Sequence, residues 1–192
     1  TGIPTDLSGF PDIPTNASLQ DILSLIPDDM LDIIPASSKG PFISNTKQSL
    51  SLVLVDSQGI EQTAGKALLA LKKSALVDGL NIQLGSGYRP QFGQNFNGMS
   101  SKGVSVVFTT QETLRRDRSR WKASERQKYN SDNDFIFKAN ASAYTPQTAP
   151  PGKSKHGDGI AADVNVGSRV SFSGVLNNAN YVWMIKNSWK FG

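Results

Sequence analysis

Leu50, Leu52 and Leu54 alternate with Ser and Val and then stop at Asp56-Ser57-Gln58-Gly59. A period of two that ends in turn residues predicts a strand and a tight turn. The period then changes. Ala64, Ala67, Leu68, Leu71, Ala75 and Leu76 recur at helical spacing, which predicts a helix from about Glu61 to Val77 with Gly79 as its stop. Asn81 to Leu84 fits a short strand, and Gly85-Ser86-Gly87-Tyr88-Arg89-Pro90 a sharp loop. Gln111 to Lys128 is expected as a strongly charged helix, Asn130 to Asn140 as a polar loop, and Thr145 to Gly152, with its prolines, as another. A strand around Ile160 to Val166 and a helix from about Asn178 to Trp189 complete the pattern. Short strands and helices in alternation, separated by long excursions, predict an α+β fold with a small antiparallel sheet flanked by helices.

Residues 1–41 follow a different rule. Pro4, Pro11, Pro14, Pro27, Pro35 and Pro41 interrupt them, each restricting the residue before it to extended or turn conformations. One short helix fits, Leu19 to Ile26, capped by Asn16 or Ser18 and with Leu19, Leu23 and Ile26 on one face. A second apolar cluster follows at Met30, Leu31, Ile33 and Ile34. The expected organisation is an extended acidic N-terminal arm, 1–41, ahead of a domain over 42–192. Its apolar clusters either pack on that domain or dock the arm onto other subunits of an assembly. Charge supports the division: residues 1–40 carry six Asp and one Lys, a balance of −5, and the remainder carries +9 within a chain of net +4 and pI about 9.3. The chain opens at Thr1 without Met, basic n-region or apolar h-region, as expected of a trimmed or mature product.

Composition removes several classes. The longest apolar runs, Leu52 to Val55 and Ala67 to Leu71, fall far short of the roughly 20 residues that span a bilayer. The chain has no cysteine, hence no disulfide, thiolate metal site or cysteine nucleophile. It has one histidine, so any Ser-His-Asp triad must be built on His156. The basic run Arg115, Arg116, Arg118, Arg120, Lys122, Arg126 and Lys128 is either a solvated face or a surface for anionic wall polymer. Nucleic acid is disfavoured, because Trp121 and Tyr129 form no repeated stacking pattern and no recognition motif appears.

The chemistry concentrates between Pro151 and Asp163. The sole histidine, His156, sits in a Gly-rich turn, and Asp163 follows seven residues later on a small, apolar stretch. Gly157, Gly159, Ala161 and Ala162 keep bulk away from the space between them. Imidazole with carboxylate suits Zn²⁺, whose catalytic sites take three protein ligands and an open position. The spacing alone also fits a hydrogen-bonded His–Asp pair.

The surrounding string, Pro151, Gly152, Ser154, His156, Gly159, Ala161 and Asp163, resembles the P-G-x-S-x-H-x-x-G-x-A-x-D signature of the zinc D-alanyl-D-alanine carboxypeptidases and phage L-alanyl-D-glutamate endopeptidases (LAS-type metallopeptidases). Ser86-Gly87-Tyr88-Arg89 followed by Gln94 is similar to a second block of that family, and Tyr181 to Gly192 is a weaker third match. The resemblance covers roughly Glu61 to Gly192 and implies a LAS-type fold. It implies His156 and Asp163 as two of three zinc ligands and Arg89 as the group that binds the scissile carbonyl oxygen or its oxyanion. It implies Ser154 and Gln94 as contacts to the substrate or supports around the metal, and Tyr88 as a core residue or a wall against substrate. The family takes its third ligand, a histidine, and its general base, a glutamate, from a strand near its C-terminus. This chain has no second histidine and stops at Gly192, so a longer parent protein is expected; Asp158 is a conceivable substitute ligand. The implied function is a zinc-dependent peptidoglycan peptidase that hydrolyses a stem-peptide amide bond. The implied setting is a phage lysin or virion-associated wall-opening component, extracellular, periplasmic or on the virion. The alternative is a non-catalytic structural or wall-binding module of a larger, tail-like assembly that keeps the fold.

Overall fold

The computed structural model describes residues 3–92, 96–165 and 176–192. Helix α1 (Leu19–Leu25) starts at Ser18, whose hydroxyl accepts from the Asp21 N–H while the Asp21 carboxylate accepts from the Ser18 N–H. Its buried side is Ile22 and Ile26; Leu19, expected on that face, is exposed. Strand β1 (Ile33–Ile34) pairs antiparallel with β2 (Leu52–Val55), which pairs antiparallel with β3 (Gln58–Glu61). Asp56 and Ser57 form the two-residue turn between β2 and β3, both at positive φ, 48° and 64°, as a tight hairpin of this twist requires. β2 is buried on both faces. Val53 and Val55 enter one core while Leu52 and Leu54 face another, so the Leu alternation marks the strand but only half of its apolar surface.

Helix α2 (Gln62–Val77) is capped by Glu61, whose carboxylate accepts from the N–H groups of Thr63 and Ala64 at 2.9 and 3.0 Å. It ends before Gly79, at φ +75°. Leu68, Leu69, Leu71 and Ala75 of α2 pack with Val53 and Val55, and the same core takes Leu7, Ile22, Ile26 and Leu31 from the N-terminal segment. That segment is therefore laid against the domain rather than extended from it, and β1 makes it part of the sheet.

Strand β4 (Leu84–Ser86) begins where the sequence pattern expected a strand to end. Strand β5 (Phe96–Met99) pairs antiparallel with β6 (Ser105–Phe108). The single charged helix expected over 111–128 is instead α3 (Gln111–Arg116), a 3₁₀ turn (Arg118–Arg120) and α4 (Ala123–Arg126). Asp117 makes the break: its carboxylate accepts from the Ser119 N–H and starts a new turn. The polar loop expected over 130–140 contains α5 (Asp132–Lys138), capped by Ser131 and burying Phe135 and Ile136. Phe135, Ala139, Ala143 and Tyr144 form a third small core with Trp121 and Tyr129. The strand expected over 160–166 is the short β7 (Asp163–Val164), antiparallel to β4, and Val166 lies outside the described residues. Helix α6 (Ala179–Asn187) runs into a 3₁₀ turn (Ser188–Phe191), with Trp183 and Phe191 in the first core. Small antiparallel sheets with helices against them make an α+β fold. Among the described residues no helix is long and apolar enough to cross a membrane.

Candidate active site

β3 holds the site together. The Gly59 carbonyl accepts from the Tyr88 N–H at 2.6 Å, and the Glu61 N–H donates to the Gly159 carbonyl at 2.9 Å. The two sequence blocks that carry the chemistry are thereby fixed to one strand. They also bond to each other, through the Arg89 N–H to the His156 carbonyl at 3.0 Å. Two glycines make this contact possible. A Cβ on Gly87 would lie 2.1 Å from the Gly59 oxygen, so no larger residue fits between the loop and β3. Gly159 ends the 3₁₀ turn Lys155–Asp158 in the left-handed region, at φ +71°.

His156 lies in that turn and is buried. Its Nδ1–H donates to the Gly87 carbonyl at 2.7 Å, which in the neutral imidazole puts the lone pair on Nε2. Nε2 faces Oδ2 of Asp163 at 3.4 Å. Asp163 sits on β7 with its side chain 63% exposed, and its Oδ2 is also 4.0 Å from Nη2 of Arg89. Burial lowers the pKa of the Arg89 guanidinium, Asp163 draws it back up, and Arg120 adds to the lowering; arginine nevertheless stays a cation near neutral pH.

A cleft of about 1230 Å³ opens over this group, lined among others by Ser86, Arg89, Arg120, Ser154, His156 and Asp163. Of the two places expected for Tyr88, the structure gives the core and not the wall against substrate: its ring stands edge-on to Phe42 and Phe108 in the second core. Its hydroxyl donates to the Ile43 carbonyl at 2.9 Å and accepts from the Ile43 N–H. Burial pushes that phenol up, with the Ile43 N–H opposing. Asp158 does not serve as a substitute ligand, because its Oδ1 accepts from the Asn45 N–H at 2.9 Å and it lies outside the cleft lining. Gln94 lies outside the described residues.

The donor set can be tested against zinc on its own geometry. Two ligand atoms at about 2.0–2.1 Å from a tetrahedral zinc stand roughly 3.3 Å apart, and the His156–Asp163 separation is 3.4 Å. The Gly87 carbonyl orients the imidazole in the way metal-bound histidines are held. His156 and Asp163 therefore fit two corners of a zinc site. Among the described residues no group of three His, Cys, Asp or Glu side chains converges.

A family model described as VanY, D-alanyl-D-alanine carboxypeptidase, matches residues 57–192. The chain belongs to the VanY family. The match begins in the β2–β3 turn and takes in both blocks that meet on β3. It places the chain among peptidoglycan-acting peptidases. No curated protein and no solved structure matches.

The sequence pattern overlooked Arg120. In a run of lysines and arginines it looked like one more solvated cation, but it lines the cleft. The rest of the run is largely neutralised: Arg116 pairs with Glu112, Arg118 and Arg126 with Asp132, and Lys128 with Glu125. Arg115 is wholly buried, donating to the carbonyls of Thr148 and Ala139 at 2.7 and 2.6 Å. A continuous basic face for polymer is thus replaced by paired charges. The one signal in the sequence was Asp117, a strong cap residue in the middle of the expected helix.

Proposed function

We propose that this VanY-family chain is the zinc-dependent peptidase domain of a phage lysin or virion-associated wall-opening protein, hydrolysing a stem-peptide amide bond in peptidoglycan. The observation that carries the proposal is the convergence of His156 Nε2 and Asp163 Oδ2 at 3.4 Å, with the Arg89 cation beside them in one cleft. His156 and Asp163 would hold the metal, and the Gly87 carbonyl keeps the imidazole in the tautomer that can ligate. Zinc supplies polarisation of the amide carbonyl and acidification of a water when bound. Arg89, whose main chain is fixed by its N–H bond to the His156 carbonyl, would offer its guanidinium to the developing oxyanion. Ser154 lines the cleft for the peptide, while Asn45 fixes its carbonyl at 2.7 Å. Gln94 is assigned a substrate contact from the motif alone. A histidine as third ligand would come from outside these 192 residues, since His156 is their sole histidine. The acidic segment 1–41 is assigned the contact to other subunits; Asp12 and Asp28 pair with Lys73 and Lys66 of the same chain at 3.6 and 2.6 Å and keep most of each carboxylate exposed.

The lack of a third converging donor among the described residues favours one rival, a wall-binding module without catalysis. Elemental analysis and murein digestion on the intact protein separate the two. The expected result is one zinc per chain, lost in His156→Ala and in Asp163→Ala. Arg89→Ala should keep the metal and lose about 10²–10³-fold in kcat. A metal-free wild type that binds murein without cutting it would establish the rival.

A further inference from the structure

The cleft is lined by two cations, Arg89 and Arg120, and two carboxylates, Asp117 and Asp163. The two cations face the same cleft. Asp163 stands 4.0 Å from Arg89, and in the function proposed above its oxygen is committed to metal. Arg120 has a different partner, the Thr148 hydroxyl, to which its Nη2 donates at 2.8 Å; its buried Nε has no partner among the described residues. Asp117 on the cleft rim feels Arg120, but it is fully exposed and its carboxylate is engaged by the N–H and hydroxyl of Ser119.

The guanidinium is also held in place. The Thr148 hydroxyl donates to the Pro146 carbonyl at 3.0 Å, so a lone pair remains for Arg120. The Thr148 carbonyl takes the buried Arg115 at 2.7 Å. On the backbone side, the Arg120 carbonyl accepts from the Thr145 N–H at 2.7 Å. A cation fixed by neutral partners on a cleft wall, beside a second cation, is arranged to receive an anion.

We propose that Arg120 is a specificity-determining residue that binds a carboxylate of the peptide substrate, next to the amide presented to Arg89. This rests on the peptidase reading for its substrate class. The carboxylate belongs either to the peptide C-terminus or to an acidic residue within the peptide, and the ligand chemistry is the same for both. Arginine suits the task because its planar fork matches a carboxylate bidentately, which a lysine cannot do.

The test is calorimetric binding to the intact, metal-depleted protein, so that hydrolysis does not enter. Three short peptides are compared: one with a free C-terminus and an internal glutamate, its C-terminal amide, and a version with glutamine in place of the internal glutamate. Wild type should bind the fully carboxylated peptide about tenfold or more tightly than one of the two neutralised peptides. The peptide whose neutralisation matters identifies the source. Arg120→Gln should abolish that preference, and Arg120→Lys should restore part of it at an unchanged melting temperature. A wild type indifferent to both neutralisations, or an Arg120→Gln variant that keeps the preference, overturns the assignment. A preference that depends on Arg120 in a protein that never cuts murein would retain this inference and discard the peptidase reading. Normal cleavage with no Arg120 dependence would do the reverse.

Discussion

Lys72 and Asp56 are charged residues in the interior, with side chains 3% and 4% exposed and 2.6 Å apart. Lys72 also donates to the Ile82 carbonyl, while Asp56 accepts from the N–H groups of Leu84 and Thr5 at 2.7 Å. One carboxylate thus ties α2, the β2–β3 turn, the start of β4 and the N-terminal segment. Burial pushes the Asp56 carboxyl up, but Lys72 and the two N–H donors outweigh it and hold the pKa below the ordinary value. A depressed carboxyl adds stability that is fully present above the unfolded pKa, near 3.9, and is lost as pH falls through the folded value. Urea denaturation from pH 6 to pH 2 should therefore show a steeper acid loss in wild type than in Asp56→Asn, whose comparison cancels the exposed carboxylates. At pH 7, Lys72→Met should cost about 3–5 kcal/mol, because it strands a buried charge. Equal acid slopes in the two proteins would remove the pair from the account of stability.

Between the two site blocks, elements α3, α4 and α5 form a unit with its own small core. Phe135 stacks on Tyr144 at 5.1 Å and meets Trp121 edge-on, and the Arg115 guanidinium lies 4.3 Å over the Tyr144 ring. Arg115 is its central tie, joining α3 to the end of α5 and to Thr148 on the cleft wall. Arg115→Met leaves those carbonyls without a donor, at about 1–3 kcal/mol each. Hydrogen exchange should then rise across 117–149 while α2 stays protected; a uniform rise over both would mean that the unit has no separate cooperativity. This region also shows where sequence reading stops. The blocks around Arg89, His156 and Asp163 were legible because glycines that permit close backbone approach leave a local signature. Arg115 and Arg120 were not, because a run of cations looks the same whether each one faces water, carbonyls or a cleft. Helix α5 was hidden by its polar flanks, although Ser131 caps it and Phe135 and Ile136 supply its buried side.

At the scale of the whole chain, the N-terminal segment and the two blocks of the candidate site are joined through α2 and the sheet. Ile22 and Ile26 pack into the core of α2, Val53 and Val55, and β3, next in that sheet, carries the backbone bonds that hold both site loops. The helical spacing of Leu19, Leu23 and Ile26 located α1 and its buried Ile26, but it put Leu19 inside where the structure buries Ile22, because amphipathic period alone does not say how far round the helix a neighbour will cover. That error defines a direct experiment. Ile22→Ala and Ile26→Ala should each cost about 2–5 kcal/mol through lost burial and the cavity left behind. In a chain of this size that corresponds to a fall in melting temperature of roughly 4–20 °C. Leu19→Ala, on the exposed side, should move it by less than about 2 °C. If the segment served only to reach a partner, all three variants would melt together with wild type. A selective loss at Ile22 and Ile26 would instead make the acidic segment part of the scaffold on which His156 and Asp163 are brought to 3.4 Å.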